Sequence, residues 1–210
     1  MPSRLFDAMP APLKKLPYPL ILASASPRRK AILKAFGHPF EVHLPTCEEI
    51  VRADDPVATV GANARRKALS VKSRHPHAFI IAADTVVAFN GKVYGKPKDE
   101  EQAQAWLLAY AGKSQQVYTA VALIAPGESE PTLRIEATSL RFRNYGLAVV
   151  QEYIDRVHPL DRAGAYDINA CGELLIAERI GSYTNVMGLP RGVVFDWLRA
   201  RLSHASGSPC

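Results

Sequence analysis

The stretch from Leu20 to Gly37 constrains the fold more than any other part of the chain. Leu20-Ile21-Leu22-Ala23 is a short apolar run of the kind that forms a buried strand. Ser26-Pro27 then supplies an N-cap followed by proline at the first helical position. Ala31, Ile32, Ala35 and Phe36 recur at helical spacing, and Gly37 closes the helix. A strand that passes through a tight turn into a helix is the elementary unit of an α/β protein.

The remaining patterns repeat that alternation. Phe40–Leu44 reads as a second strand, and a helix starts at Asp54 or Asp55 and runs to about Arg74, where His75-Pro76 closes it. Phe79–Ala83 is a further buried strand. Thr85–Phe89 and Lys92–Tyr94 flank Asn90-Gly91, the strongest short hairpin signal. Asp99 with Gln102 resembles a capping box for a helix over Glu100–Ala111, stopped by Gly112. Gln116–Ala125 and Thr132–Arg143 read as long strands joined by the turn 126–131. Gly146–Arg156 is expected as a helix, Leu174–Arg179 as a strand and Arg191–Leu202 as a final amphipathic helix. Hairpins among interleaved helices and strands make the sheet mixed rather than purely parallel.

With 210 residues the chain can form one ordinary domain, or two small lobes around one cleft. Residues 1–19 carry five prolines and no apolar run of signal-peptide type, and read as a disordered arm; 20–202 reads as the folded domain and 203–210 as a flexible tail. No stretch approaches the roughly 20 apolar residues that cross a bilayer, so no membrane partner is expected. Cys47, Cys171 and Cys210 form no metal spacing and no even-numbered disulfide framework, which suits a reducing cytoplasm. A net charge of +6 favours an anionic ligand without separating nucleic acid from nucleotide phosphates.

Three constellations could carry chemistry. In Ser24-Ala25-Ser26-Pro27-Arg28-Arg29, unpaired amides at a helix start attract anions, two hydroxyls add donors, and two guanidinium forks suit phosphate. Ser26 as a plain N-cap with two solvated arginines is the bland alternative. Yet two cations at the positive end of a helix dipole call for an anion. Asp84 follows five apolar residues and is expected at a strand edge before the hairpin, as a Mg²⁺ ligand, a general base or a turn cap. Lys96, between Gly95 and Pro97, could neutralise phosphate or simply be solvated. Glu48, Glu49 and Lys67 gain meaning only if the fold carries them to Asp84. The glycine-punctuated loops 163–169 and 183–190 contain amide side chains able to read a base or sugar edge, or to form plain turns.

Taken in order, Leu22-Ala23-Ser24-Ala25-Ser26-Pro27-Arg28-Arg29, Ala83-Asp84-Thr85-Val86-Val87, Gly95-Lys96-Pro97, Val117-Tyr118-Thr119-Ala120-Val121, Ala163-Gly164-Ala165-Tyr166 and Asn185-Val186-Met187-Gly188-Leu189-Pro190 resemble the Maf family of nucleoside triphosphate pyrophosphatases. The resemblance implies an elongated mixed sheet with flanking helices around a two-lobed cleft. It also implies hydrolysis between the α- and β-phosphates, a divalent cation (Mg²⁺ or Mn²⁺) and often a homodimer. By similarity, Asp84 matches the catalytic aspartate, and Ser24, Ser26, Arg28, Arg29, Lys67 and Lys96 match phosphate-binding positions. Glu49, or in second place Glu48, matches an acidic metal-site position shared with Asp84. Thr85 and the Val117–Val121 motif resemble the branch acting on dTTP and UTP. Asn169 stands where that branch has glutamine, and Asp167 and Ala170 depart from its usual Gly-Ile-Gln-Gly run. A pyrimidine triphosphate, ordinary or modified, is therefore the expected partner, with no stable nucleic-acid partner. Two rivals stand beside this reading. A phosphatase of the haloacid dehalogenase type would need a second carboxylate where Val86 stands. A non-catalytic RNA-binding module would need aromatic–basic stacking signatures, which the sequence lacks.

Overall fold

The computed structural model describes residues 16–205. In chain order the elements are β1 (Leu20–Leu22), α1 (Pro27–Lys34), β2 (Glu41–Val42), α2 (Pro56–Lys72), β3 (Phe79–Phe89), β4 (Lys92–Tyr94), α3 (Glu100–Tyr110), β5 (Ser114–Ile124), β6 (Thr132–Phe142), α4 (Leu147–Val157), α5 (Gly172–Leu175), β7 (Ile176–Ile180), α6 (Tyr183–Val186) and α7 (Arg191–Ala205). One seven-stranded sheet runs β2-β1-β3-β5-β6-β7, with β4 also paired to β3. β1 is parallel to both β2 and β3, and every other pairing is antiparallel. The sheet is mixed, as the hairpins require.

Local chemistry starts the helices where the sequence places them. Ser26 accepts the Arg29 amide, and Pro27 occupies the first turn of α1. Asp55 accepts the Ala58 amide at 2.8 Å ahead of Pro56 in α2. Asp99 accepts the Gln102 amide at 2.8 Å, and Gln102 Oε1 accepts the Lys98 amide at 3.0 Å.

Three differences from the sequence reading concern strands. Phe79 to Phe89 is one continuous strand, so Asp84 lies within it and not at its end. The expected strand Phe40–Leu44 contracts to Glu41–Val42, and Leu174–Arg179 becomes a helical turn followed by Ile176–Ile180. Residues 1–15 of the arm and 206–210 of the tail lie outside the described residues. The last of the 1–19 segment is seated: Leu16 is buried, and its amide donates to His38 Nε2 at 3.0 Å. Similarly, α7 continues three residues beyond Leu202.

Strand alternation divides the core into three. On one face, Ile80, Ala82 and Val86 of β3 pack with Val60, Ala64, Ala68 and Val71 of α2. On the other face, Phe79, Ile81 and Ala83 pack with α1 and α7, while Val87 and Phe89 pack with α3 and α4. These last two cores share a sheet face but not a cluster. Between them stand Thr85 on β3 and Thr119 on β5, directly paired in register, with Thr138 on β6 one step further along. A polar row crosses the sheet between these two cores.

Candidate active site

The middle of β3 has one open side. β1 pairs with it as far as Ile81, where the Ala23 amide donates to the Ile81 carbonyl at 2.8 Å. β4 begins pairing only at Val87. Between them Ala83 to Val86 face no strand, although β5 holds their other side. Successive side chains point to opposite faces, so Asp84 lines this notch on the α2 face and Thr85 lines it on the other.

Asp84 is 6% exposed and both its oxygens are engaged. Oδ1 accepts from Lys67 Nζ at 2.6 Å and Oδ2 from Asn63 Nδ2 at 3.1 Å. Lys67 also reaches Glu49 Oε1 at 2.5 Å, so one ammonium bridges two carboxylates. Burial works against the Glu49 carboxylate, but Lys67, with Lys96 and Arg29 further off, outweighs it and holds the carboxyl below its ordinary value. Asn63 fixes the loop that delivers Glu49: its Oδ1 accepts the Ile50 amide and its Nδ2 donates to the Ile50 carbonyl, both at 2.9 Å. Glu48 is exposed and takes no part in this bridge.

On the other face, Arg29 crosses from α1 to the polar row. Its Nε donates to the Gly188 carbonyl at 2.7 Å, Nη2 to Thr85 Oγ1 at 3.0 Å and Nη1 to Ser24 Oγ at 3.3 Å. Thr119 commits its own proton to the Asn185 carbonyl at 2.9 Å, so Thr85 donates to Thr119 across 3.0 Å. Asn185 in turn donates to Thr138 Oγ1 at 2.9 Å and the Val117 carbonyl at 3.0 Å. Gly188 has φ +94°, and a Cβ there would stand 3.1 Å from Thr85 Oγ1 and 3.2 Å from Arg29 Nε. Only glycine admits this approach. Burial lowers the Arg29 pKa from its ordinary value, opposed by the field of Asp84. Among the described residues, no carboxylate makes an ion pair with Arg29. Its N–H groups are met by neutral acceptors, while the carboxylates of Asp84 and Glu49 act on it only through their field.

The other expected residues fall around this pair of walls. Ser24 is buried and accepts the Ser26 amide at 3.2 Å, while Ser26 serves as the N-cap. Arg28 turns away from Arg29 and donates from Nη1 to Asp167 Oδ2 at 2.9 Å. Asn169 contacts the Tyr183 hydroxyl and Met187 Sδ, at the edge of the loop that follows β7. Lys96 is exposed, on a loop held by a bond from the Gly164 amide to the Gly95 carbonyl at 2.9 Å.

Glu49 and Asp84 offer hard oxygen donors that converge on Lys67 Nζ. Among the described residues no group of three metal-ligating side chains occurs. Two carboxylates completed by water and phosphate oxygens are nevertheless how Mg²⁺ is commonly held, so the donors fit such an ion.

Sequence reasoning did not single out Asn63, although it left a trace. Asn63 and Lys67 are buried polar residues one turn apart on the apolar stripe of Val60, Ala64, Ala68 and Val71. Polar groups on a buried stripe face each other's partners. The Arg28–Asp167 pair joins residues 139 apart and left no local signal.

A family model described as Maf-like protein matches residues 19–201. The chain is 40% identical over 173 residues to a dTTP/UTP pyrophosphatase of Desulfotalea psychrophila, covering 82% of this chain and 89% of that protein. It is 44% identical over 174 residues to the dTTP/UTP pyrophosphatase of Myxococcus xanthus, covering 82% and 87%. A protein of that name from Salinibacter ruber is 39% identical over 191 residues, covering 90% and 94%.

Proposed function

The chain belongs to the Maf family, and from that footing we propose that it is a nucleoside triphosphate pyrophosphatase. It hydrolyses the bond between the α- and β-phosphates and releases a nucleoside monophosphate and pyrophosphate. The observation that carries this reading is Arg29 across the β3 notch from Asp84: a cation without a carboxylate partner on one wall, a carboxylate held by Lys67 and Asn63 on the other.

The roles follow from charge and placement. Arg29, Ser24 and the amides at the start of α1 hold phosphate oxygens. Lys96, exposed and close enough to act on Glu49, stabilises charge on the departing pyrophosphate. Asp84 orients the attacking water and receives its proton, while Lys67 holds the carboxylate in place. Glu49 and Asp84 would hold Mg²⁺ or Mn²⁺, which would supply Lewis-acid polarisation of a phosphoryl oxygen when bound. The base sits against Asn169, whose amide can both donate and accept, as the imide edge of uracil or thymine requires. This, with the names of the relatives, favours dTTP, UTP or a modified pyrimidine triphosphate.

A phosphatase that uses Asp84 as nucleophile is disfavoured, because Val86, two residues on and facing the same way, is buried and apolar. The free thiols of Cys47 and Cys171 support a reducing cytoplasm, and a homodimer is part of the reading. No helix among the described residues is long and apolar enough to cross a membrane.

The test is a panel of ordinary and modified triphosphates offered to the purified chain and to Asp84→Asn. Hydrolysis by the unmodified protein should fall about 100-fold or more in the variant. An Asp84→Asn protein close to the unmodified rate removes Asp84 from the mechanism.

A further inference from the structure

Asp167 is 8% exposed and lies on the loop that carries Asn169. Its backbone is pinned on both sides by one side chain. The Tyr153 hydroxyl accepts the Asp167 amide at 2.7 Å and donates to the Asp167 carbonyl at 3.3 Å. The carboxylate is therefore delivered to a fixed place. There Oδ2 receives Arg28 Nη1 at 2.9 Å and lies 3.1 Å from Arg162 Nε, while Oδ1 accepts the Asn169 amide at 2.9 Å.

Arg28 needs such a partner. It shares the first turn of α1 with Arg29, and the two like charges act against each other at the positive end of the helix. A guanidinium carries five donors in a rigid fork, and the described bond to Asp167 uses Nη1. The fork is thus oriented by the carboxylate with donors left for an anion on its outer side. Arg162, which also pairs with Asp161, lies against the same carboxylate, so Asp167 keeps a cation beside it when Arg28 shares itself with a phosphate.

We propose that Asp167 is a positioning residue that locks Arg28 of the phosphate wall to the Asn169 loop of the base wall, so that phosphate grip and base choice are coupled. The proposal rests on the pyrophosphatase reading and deepens it. One carboxylate serves both walls: one oxygen fixes the arginine and the other fixes the backbone of Asn169. Losing the charge frees Arg28 to move away from the triphosphate, and it also replaces the charged acceptor of the Asn169 amide by a weaker neutral one.

The test is a double-mutant cycle of Asp167→Asn and Arg28→Gln. Each protein is assayed with a pyrimidine and a purine triphosphate, and its thermal midpoint is recorded. Asn keeps the shape of Asp167 and an acceptor for the Asn169 amide, but removes the charge. Asp167→Asn should raise KM about tenfold, the scale of one lost charged hydrogen bond, with kcat changed far less. It should also narrow the pyrimidine-to-purine ratio of kcat/KM, and the KM of the double variant should be no higher than that of Arg28→Gln alone. Unchanged KM and base ratio in Asp167→Asn, or effects that add fully in the double variant, overturn the coupling, whatever the thermal midpoints do. If Asp167→Asn does not fold, Asp167→Glu keeps the charge but displaces it by about one methylene, and is held to the same criteria. Absence of any turnover by the unmodified chain overturns the pyrophosphatase reading itself; turnover with an unaffected Asp167→Asn overturns only the coupling.

Discussion

Arg29 and Gly188 set the tolerance of the proposed phosphate wall. The arginine reaches the polar row only because the chain at Gly188 has φ +94° and no side chain, which lets its carbonyl come within 2.7 Å of Nε. Gly188→Ala should cost about 1–3 kcal/mol from the backbone conformation alone. It should also push Arg29 off Thr85, so KM for the triphosphate rises beyond what the stability loss explains. Urea unfolding with and without nucleotide separates the two effects, and an unchanged nucleotide-dependent shift would count against Arg29 as a phosphate ligand. On the opposite wall, Lys67 pairs with Asp84 and Glu49 together. Lys67→Met leaves two carboxylates facing each other without that cation, and hydrolysis should fall at least as far as in Asp84→Asn. A Lys67→Met protein at normal rate would show that the bridge is structural only.

At the scale of elements, the threonine row divides one sheet face into two cores. Thr119 is fully buried, donates to the Asn185 carbonyl and accepts from Thr85. Thr119→Val keeps the shape and removes the hydroxyl, taking from Thr85 its acceptor and from the Asn185 carbonyl one of two donors, the Gly188 amide remaining at 2.9 Å. Loss of about 1–3 kcal/mol in urea unfolding is expected, with a weaker hold on Arg29 through Thr85. A neutral Thr119→Val would mean that water or Asn185 repairs the row. Capping chemistry made the helices legible: Ser26-Pro27, Asp55-Pro56 and Asp99 with Gln102 start them in the structure as they do in the pattern. The sequence pattern ends a strand at Ala83 because a charged residue inside an apolar run looks like a break, whereas β3 runs on through Asp84. Lys67 and Asn63, from another element, make it tolerable there. The strand expected at Leu174 was displaced because Gly172–Leu175 forms one helical turn, burying Leu175 in the core beside α4.

Over the whole molecule, the cluster of Ser24, Ser26, Arg28 and Arg29 is legible because it lies within one strand–turn–helix, whereas Asn63, Asp167 and the open side of β3 depend on long-range pairing. The notch exists because β1 stops at Leu22 while β3 continues to Phe89, a difference in length that no local motif encodes. The core over α3 and α4 makes a separate prediction. Burial raises the pKa values of Tyr110, Tyr145, Tyr153 and Tyr166 above the ordinary tyrosine value. These acids ionise first in the unfolded chain, near pH 10, so their contribution is whole below that pH and is lost as pH rises above it. The urea midpoint should hold to about pH 9 and then drop steeply; a flat profile to pH 11 would mean that these rings are open to solvent. The central claim is attack by water at the α-phosphorus, between the Arg29 wall and Asp84. Hydrolysis of UTP or dTTP in ¹⁸O-labelled water with Mg²⁺ tests it directly, by the position of the label in the products. The label should enter the nucleoside monophosphate and leave pyrophosphate unlabelled; label in pyrophosphate or in free phosphate would contradict the account.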